Sequence, residues 1–190
     1  MRHLMPRQSL SATELHALWR IESGAMRIDS IAPDGTSNFV RLTLPGDILG
    51  IENLVGVNDT LKISALTPCI LIPLCFNEET QLTALLMESI TTNHQRCREI
   101  VNLRTGAVMD RVKCLLQLLK SSNGNAWTLP SLGNIAEIIN STRETVCRIM
   151  TNLREANFLM DCNPVHAKYT PLENREHRLQ TENYAITHHQ

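Results

Sequence analysis

The fold of the C-terminal part follows from residues 132–153, LGNIAEIINSTRETVCRIMTNL. Apolar residues recur at i, i+3, i+4 and i+7 in its first half and again in its second half, which is the spacing of one apolar face on each of two helices. Asn140 lies between the two repeats, and asparagine tolerates the left-handed conformation that a tight turn requires. The stretch therefore predicts a helix-turn-helix. The two apolar faces are Leu132, Ile135, Ala136 and Ile139, and then Val146, Ile149, Met150 and Leu153.

The predicted second helix has a polar start. Ser141 and Glu144 stand at the spacing of a capping box, in which the Ser141 hydroxyl accepts the Glu144 backbone N–H and the Glu144 carboxylate reaches back. Ser141 and Thr142 also lie at the positive end of the helix, where a phosphate group binds well. We therefore expect the helix to begin at this pair.

The side of this helix that points away from its apolar stripe determines what it binds. Glu144, Arg148 and Thr151 lie there, and Arg143 in the first turn is long enough to reach the same side. Arginine donates two hydrogen bonds to guanine O6 and N7, and a glutamate accepts one from cytosine N4. We expect base contacts from Arg143, Glu144 and Arg148; the alternative is a solvated face with intrahelical ion pairs.

Charge is unevenly distributed along the chain, although the net charge of its 190 residues is only −1. Residues 1–103 carry 8 Lys/Arg against 11 Asp/Glu, whereas residues 104–170 carry 8 against 5. The positive segment contains the predicted helix-turn-helix. This favours a phosphate-facing surface over ordinary surface scatter.

Several classes of protein are excluded by composition. No run approaches the roughly 20 apolar residues that span a bilayer, so no membrane partner is expected. The basic N-terminus has no apolar stretch behind it, so we expect no signal peptide. The six cysteines form no CxxC pair, which indicates reduced thiols in a cytoplasm.

Residues 15–74 consist of short apolar runs separated by turn signals. Asp34-Gly35 stands between the strand-like runs 25–31 and 39–44, and this dipeptide is a strong hairpin signal. About six such runs precede the first long helix, which predicts a β-sandwich or barrel. Strands followed by helices place the chain in the α+β class.

Residues 78–103 contain neither proline nor glycine and predict one helix of about 26 residues. Its apolar stripe, with polar Asn93 in the middle, is typical of a helix that pairs with a second copy; the alternative is packing on the β domain alone. A second helix is predicted over residues 107–120. The expected dimer-interface residues are Leu82, Leu86, Ile90, Asn93, Cys97 and Ile100.

Residues 141–153 resemble the recognition helix of the Crp–Fnr family of bacterial transcription regulators. The run from Arg143 to Arg148, RETVCR, matches the cyclic-AMP receptor protein branch, whose recognition helix reads a TGTGA-type half-site. The resemblance implies that Arg143 and Arg148 contact guanines and that Glu144 contacts the cytosine opposite one of them. It further implies a homodimer on a palindromic operator, with double-stranded DNA and RNA polymerase as partners in the bacterial cytoplasm.

The resemblance extends over roughly residues 15–172. The turn at residues 45–50, PGDILG, resembles that of the family's cyclic-nucleotide-binding jelly roll, and residues 158–172 would be the β wing of a winged helix-turn-helix. Thr145, Thr151 and Lys168 are expected to bind phosphate or support the interface. The implied domains are 1–76, a jelly-roll sensor-like domain; 77–104, a dimerisation helix; 105–172, a winged helix-turn-helix; and 173–190, a polar tail.

The sequence departs from the family where a cyclic nucleotide would bind. The cyclic-AMP branch holds the phosphate with a Gly-Glu pair and, about ten residues later, an arginine. Here Glu52 stands two residues after Gly50, residues 58–62 contain no arginine, and Asp59 would repel a phosphate. Lys62 offers a point charge, which does not replace a bidentate arginine. We expect no binding of cyclic AMP, and Gly50, Glu52 and Lys62 are the candidate effector pocket.

The sequence also lacks the residues that other cofactors or a catalytic role would need. An iron–sulfur sensor of the Fnr type needs N-terminal cysteines, and none precedes Cys69. The histidines suited to haem (His3, His16 and His94) are isolated from one another. A metal enzyme on a jelly roll needs clustered histidines, and none occurs between residues 17 and 93. We expect no catalytic residue, metal or cofactor. A helix-turn-helix that binds protein instead of DNA stays an alternative, and the salt dependence of the complex would distinguish the two.

Overall fold

The structure, a computed structural model, describes residues 1–54, 56, 60–75, 79–123, 127–156, 158 and 162–164. Asp59, Lys168, most of the predicted wing and the predicted polar tail lie outside these residues. Within them, no helix combines the length and the hydropathy that crossing a membrane requires.

The N-terminal half is a sandwich of two antiparallel sheets, as the turn-punctuated runs predicted. One sheet has the order β1-β7-β2-β5 and the other has the order β4-β3-β6. Alternate side chains from both sheets meet in a core that includes Ile21, Met26, Ile63 and Leu71. The strands are β1 (Arg2–Leu4), β2 (Leu18–Ser23), β3 (Met26–Ile31), β4 (Ser37–Thr43), β5 (Ile48–Leu49), β6 (Leu61–Ala65) and β7 (Cys69–Leu74).

The described residues form seven strands in this half where the sequence predicted about six. The additional strand is β1, which is too short to show alternation yet buries Leu4 against the core. The run predicted to start at residue 15 begins its strand only at Leu18, because Glu14–His16 form a short 3-10 turn. The Asp34-Gly35 hairpin is confirmed: Gly35 has φ 83°, and the Ala32 N–H donates to the Thr36 carbonyl at 2.9 Å.

The helices follow the β domain in the predicted order. The long helix runs over 79–104 and the second over 108–123, each within three residues of the predicted bounds. A parallel pair of short strands, β8 and β9, flanks the helix-turn-helix in sequence. The bounds are α1 (Ile51–Leu54), α2 (Glu79–Arg104), α3 (Val108–Asn123), β8 (Trp127–Leu129), α4 (Leu132–Ile138), α5 (Arg143–Glu155) and β9 (Cys162–Pro164).

Helix α2 packs on the β domain along one face and leaves another exposed. Ser89, Arg96 and Leu103, spaced seven residues apart, are its buried residues. Arg96 donates to both oxygens of the buried Asp47 carboxylate, from Nε at 2.8 Å and from Nη2 at 3.0 Å. This ion pair joins the helix to the turn that precedes β5.

The opposite side of α2 carries exposed apolar residues in a heptad spacing. Met87, Ile90 and Val101 are 63%, 64% and 57% exposed, and Cys97 between them is also exposed. Of the predicted interface, Ile90 and Cys97 belong to this stripe. The other four predicted residues are half-buried and lie on the helix between this stripe and its buried side: Leu82, Leu86, Asn93 and Ile100.

The β domain and the helix-turn-helix share one hydrophobic cluster. Ala25, Leu42, Leu44 and Leu66 of the β domain pack in the same cluster as the buried faces of α3, α4 and α5. The Gly24 backbone N–H also donates to the Ser122 carbonyl at the end of α3. The two halves are therefore packed together rather than linked loosely.

Candidate nucleic-acid interface

Helices α4 and α5 form the predicted helix-turn-helix. The four residues predicted to bury the apolar face of α5 are all buried, and so are the four on the first repeat. The Ser131 hydroxyl caps α4 by accepting the Asn134 backbone N–H at 3.3 Å. The buried stripe fixes which side of α5 faces outward.

The turn between the two helices uses the left-handed residue predicted for it. Asn140 has φ 51°, and the Ser141 backbone N–H donates to the Ala136 carbonyl at 2.9 Å. Arg111 of α3 also holds this turn: its Nη1 donates to the Ile139 carbonyl at 2.7 Å and to the Asn140 carbonyl at 3.3 Å. These carbonyls end α4 without helical partners, so the guanidinium satisfies them.

The cap of α5 differs from the predicted capping box by one residue. The N-cap is Thr142, whose hydroxyl accepts the Thr145 backbone N–H at 3.2 Å. The predicted Ser141–Glu144 box is wrong because the Ser141 N–H is used to close the turn on Ala136, which delays the helix by one residue. Ser141 is half-buried in that turn.

The three residues predicted to contact bases lie together on the outward side of α5. Arg143, Glu144 and Arg148 are all exposed. Within the described part of the chain none of them makes an ion pair or a side-chain hydrogen bond, so the predicted alternative of intrahelical ion pairs is absent there. Two cations and one carboxylate are thus presented from the first turns of a rigidly held helix.

The predicted supporting residues have two different environments. The Thr145 side chain is half-buried, and its hydroxyl lies 2.9 Å from that of Thr142, so it supports the start of the helix. The exposed Thr151 donates to the Cys147 carbonyl at 3.1 Å. Thr142 itself is exposed at the positive end of α5, where a phosphate would be bound.

The predicted effector pocket is divided by the structure. Gly50 and Glu52 line a cavity of about 270 Å³ in the β domain, whereas Lys62 lines a separate cleft between β6 and α4. The cause is strand alternation: Leu61 and Ile63 of β6 face the cavity, and Lys62 between them points to the other side. Lys62 therefore does not supply a charge to the cavity that holds Gly50 and Glu52.

Two arginines with structural roles were missed by the sequence reasoning. Arg111 holds the turn of the helix-turn-helix, as described above. Arg27 of β3 is buried against Asp29 and donates from Nη1 to Glu137 at 2.7 Å and to Asn134 at 3.1 Å, both on α4. The contacts of Arg111 with the turn and those of Arg27 with α4 join residues more than 25 positions apart, and no local pattern signals them.

Known proteins with related sequences are transcription regulators. The chain is 26% identical over 161 residues to the transcriptional regulator LdrP of Thermus thermophilus, which covers 79% of this chain and 81% of LdrP. It is 26% identical over 145 residues to the nitrogen fixation regulation protein FixK of Rhizobium meliloti, covering 74% and 68%. No protein-family model matches the chain.

Its fold also matches that of a solved structure. The CRP-family transcriptional regulator TTHB099 of Thermus thermophilus superimposes with a TM-score of 0.60, at 23% identity over 83% of this chain and 86% of that one. The sequence relatives of this chain are transcription regulators, and its fold is that of regulators of the CRP/FNR family. The α+β architecture predicted from the sequence is confirmed: a cyclic-nucleotide-binding-like β domain, a long helix and a helix-turn-helix, in that order.

Proposed function

We propose that this protein is a regulator of the Crp–Fnr type, which binds double-stranded DNA in a sequence-specific way and regulates transcription as a homodimer. The observation that carries the proposal is the outward face of α5, where Arg143, Glu144 and Arg148 are exposed without partners in the described part of the chain. A recognition helix contacts base edges with the residues near its N-terminus, and these three lie in its first two turns.

Each of the three side chains has a matching base edge. Arg143 and Arg148 suit guanine O6 and N7, and Glu144 suits the cytosine N4 amino group. Thr142, with Ser141 beside it, would contact a phosphate at the start of the helix, with Thr145 supporting it. This set supports a TGTGA-like half-site as the preferred sequence.

A homodimer would place two such helices in successive major grooves, so the operator should be palindromic. The exposed stripe of α2 supports this arrangement, because Met87, Ile90, Cys97 and Val101 form an apolar seam with the spacing of a two-helix coiled coil. Leu82, Leu86, Asn93 and Ile100 would flank the seam. RNA polymerase is the partner proposed for such a regulator, which acts on DNA in the bacterial cytoplasm.

Cyclic AMP is not proposed as the signal. The cavity beside Gly50 presents Glu52, and the Lys62 side chain lies in a different cleft. Arg41 pairs with Glu52 but does not line the cavity, so a phosphate there would meet the carboxylate and no lysine or arginine of the described lining. We therefore propose that DNA binding does not require the nucleotide.

Fluorescence anisotropy at fixed salt tests the proposal. A palindromic duplex with two TGTGA-like half-sites is compared with a scrambled duplex, each with and without cyclic AMP. We expect preference for the palindrome in both conditions. Binding only with the nucleotide would contradict the proposed independence from cyclic AMP. Equal binding of both duplexes would contradict the proposed half-site.

A variant of Arg148 tests whether this residue contacts a base or a phosphate. Arg148→Ala should weaken binding to the palindrome by about 1–3 kcal/mol and leave the scrambled duplex unchanged, because a bidentate guanine contact is specific to sequence. Arg98→Ala, at an exposed position of α2, removes the same charge as a control. Equal weakening on both duplexes would mean that Arg148 contacts phosphate. If the helix-turn-helix binds protein instead, DNA affinity will lack the steep salt dependence of phosphate contacts.

A further inference from the structure

The cavity of the β domain has an apolar body and one charged wall. Its volume is about 270 Å³, and Leu10, Leu15 and Ile63 supply apolar lining. Among the described residues that line it, Glu52 is the one carboxylate, His16 is also present, and no Lys or Arg lines it. Its composition is that of a small-molecule site: mostly apolar, with a few polar groups that fix orientation.

Glu52 is held in place from behind by a buried arginine. Arg41 of β4 donates from Nη2 to Glu52 Oε1 at 2.7 Å, and its side chain is 9% exposed, whereas that of Glu52 is 23% exposed. The Arg41 Nη1 is buried and has no partner in the described part of the chain. Moving Glu52 away would leave a buried guanidinium unpaired, so the carboxylate is fixed at the cavity wall.

We propose that this cavity binds a small, largely apolar molecule that carries a hydrogen-bond donor, such as a hydroxyl or amino group, and no negative charge. The donor binds the Glu52 carboxylate, and the apolar body lies against Leu10, Leu15 and Ile63. An anion is disfavoured because the Glu52 carboxylate would repel it, while the Arg41 guanidinium lies on the far side of that carboxylate. This polarity is opposite to that of a site built for a phosphate.

The size of the cavity limits the ligand. An apolar cavity of about 150 Å³ holds a benzene molecule, so the space here admits a ring of that size with a short substituent. Benzyl alcohol is a suitable probe because it combines such a ring with one donor. Benzyl methyl ether lacks the donor, and benzoate replaces it with an anion.

The experiment is a chemical-shift titration of the isotope-labelled full chain, followed at the backbone amides of Gly50 and Asn53. No DNA is present, so the result is independent of the proposed DNA binding. Benzyl alcohol should bind at least about tenfold more tightly than the ether or benzoate, since hydrogen bonds to a charged group are strong. Glu52→Gln should reduce this preference. Equal binding of alcohol and ether, tighter binding of benzoate, or no saturable shift with any probe would overturn the proposal.

A second variant keeps the test valid if Glu52→Gln fails to fold. Ala12 is exposed and lines the cavity, so Ala12→Phe fills part of it without disturbing the core. Binding of benzyl alcohol should be lost in Ala12→Phe and kept in Val40→Phe, a matched change at an exposed position of β4 that does not line the cavity. Unchanged binding in Ala12→Phe would place the ligand elsewhere and refute the assignment.

Discussion

Replacing Arg96 by methionine removes the cation that neutralises the buried Asp47. The Asp47 residue is 2% exposed, and its carboxylate accepts two hydrogen bonds from Arg96 and one from the Leu44 backbone N–H at 2.9 Å. In Arg96→Met only the Leu44 bond is left. The carboxylate then stays in the interior with its charge uncompensated.

The expected cost follows from that geometry. Breaking a buried ion pair by removing one partner costs about 3–5 kcal/mol, chiefly because the other charge stays buried. A domain's total stability is about 5–15 kcal/mol, so the variant should lose a large share of it. Replacing both partners, as in Asp47→Asn with Arg96→Met, removes both charges and should cost less than the single Arg96→Met change.

Urea unfolding of the full chain, followed by tryptophan fluorescence, measures these differences. Glu99→Gln is the control, because it removes the charge of the second partner of Arg96, which lies at 2.7 Å on α2, and leaves the Asp47 pair intact. Its loss should be near 1 kcal/mol. An Arg96→Met loss below about 1 kcal/mol, or a double variant whose loss equals the sum of both single variants, would refute the reasoning.

Three further predictions concern the turn, the thiols and pH. Arg111→Met should weaken specific DNA binding about tenfold, and Arg111→Lys should keep part of it, because the guanidinium orients the helix-turn-helix by its carbonyl contacts. Anisotropy measures both variants, and equal affinities for the two would contradict this role. Burial raises the pKa of Cys69 to about 12, so alkylation at pH 8 should modify exposed Cys147 on α5 and spare Cys69 until the chain unfolds, as mass spectrometry of digested protein would reveal. The Arg20 guanidinium lowers the pKa of Glu88 from 4.5, so this pair stabilises the fold at neutral pH and the contribution is lost as pH falls through the lowered pKa. The stability difference between wild type and Glu88→Gln, at most about 1 kcal/mol at pH 7, should therefore vanish in acid, and a difference that persists there would contradict it.

The helix-turn-helix was predicted nearly residue by residue because its evidence is local. The apolar repeats of α4 and α5 give the buried faces, and Asn140 marks the turn between them. The cap was misplaced because Ser141 and Thr142 are both good N-caps, and only the bond from the Ser141 N–H to the Ala136 carbonyl decides between them.

The sensor cavity was predicted less well because it depends on contacts between distant residues. Lys62 was grouped with Gly50 and Glu52 by analogy with a family motif, but the alternation of Leu61, Lys62 and Ile63 along β6 already places Lys62 on the other face. Arg41 precedes Glu52 by 11 residues, and their pairing requires β4 and α1 to be folded together.

The hydrophobic cluster that the two halves share has a consequence for synthesis of the chain. The β domain leaves the ribosome first, with Leu42, Leu44 and Leu66 uncovered until the helices that pack on them have been made. Those helices extend to Glu155, so this apolar surface is fully covered only after residue 155 has been made. A nascent chain in that state is prone to aggregate, which makes a chaperone at the ribosome useful to it. For the same reason, a truncated β domain expressed alone should be poorly soluble.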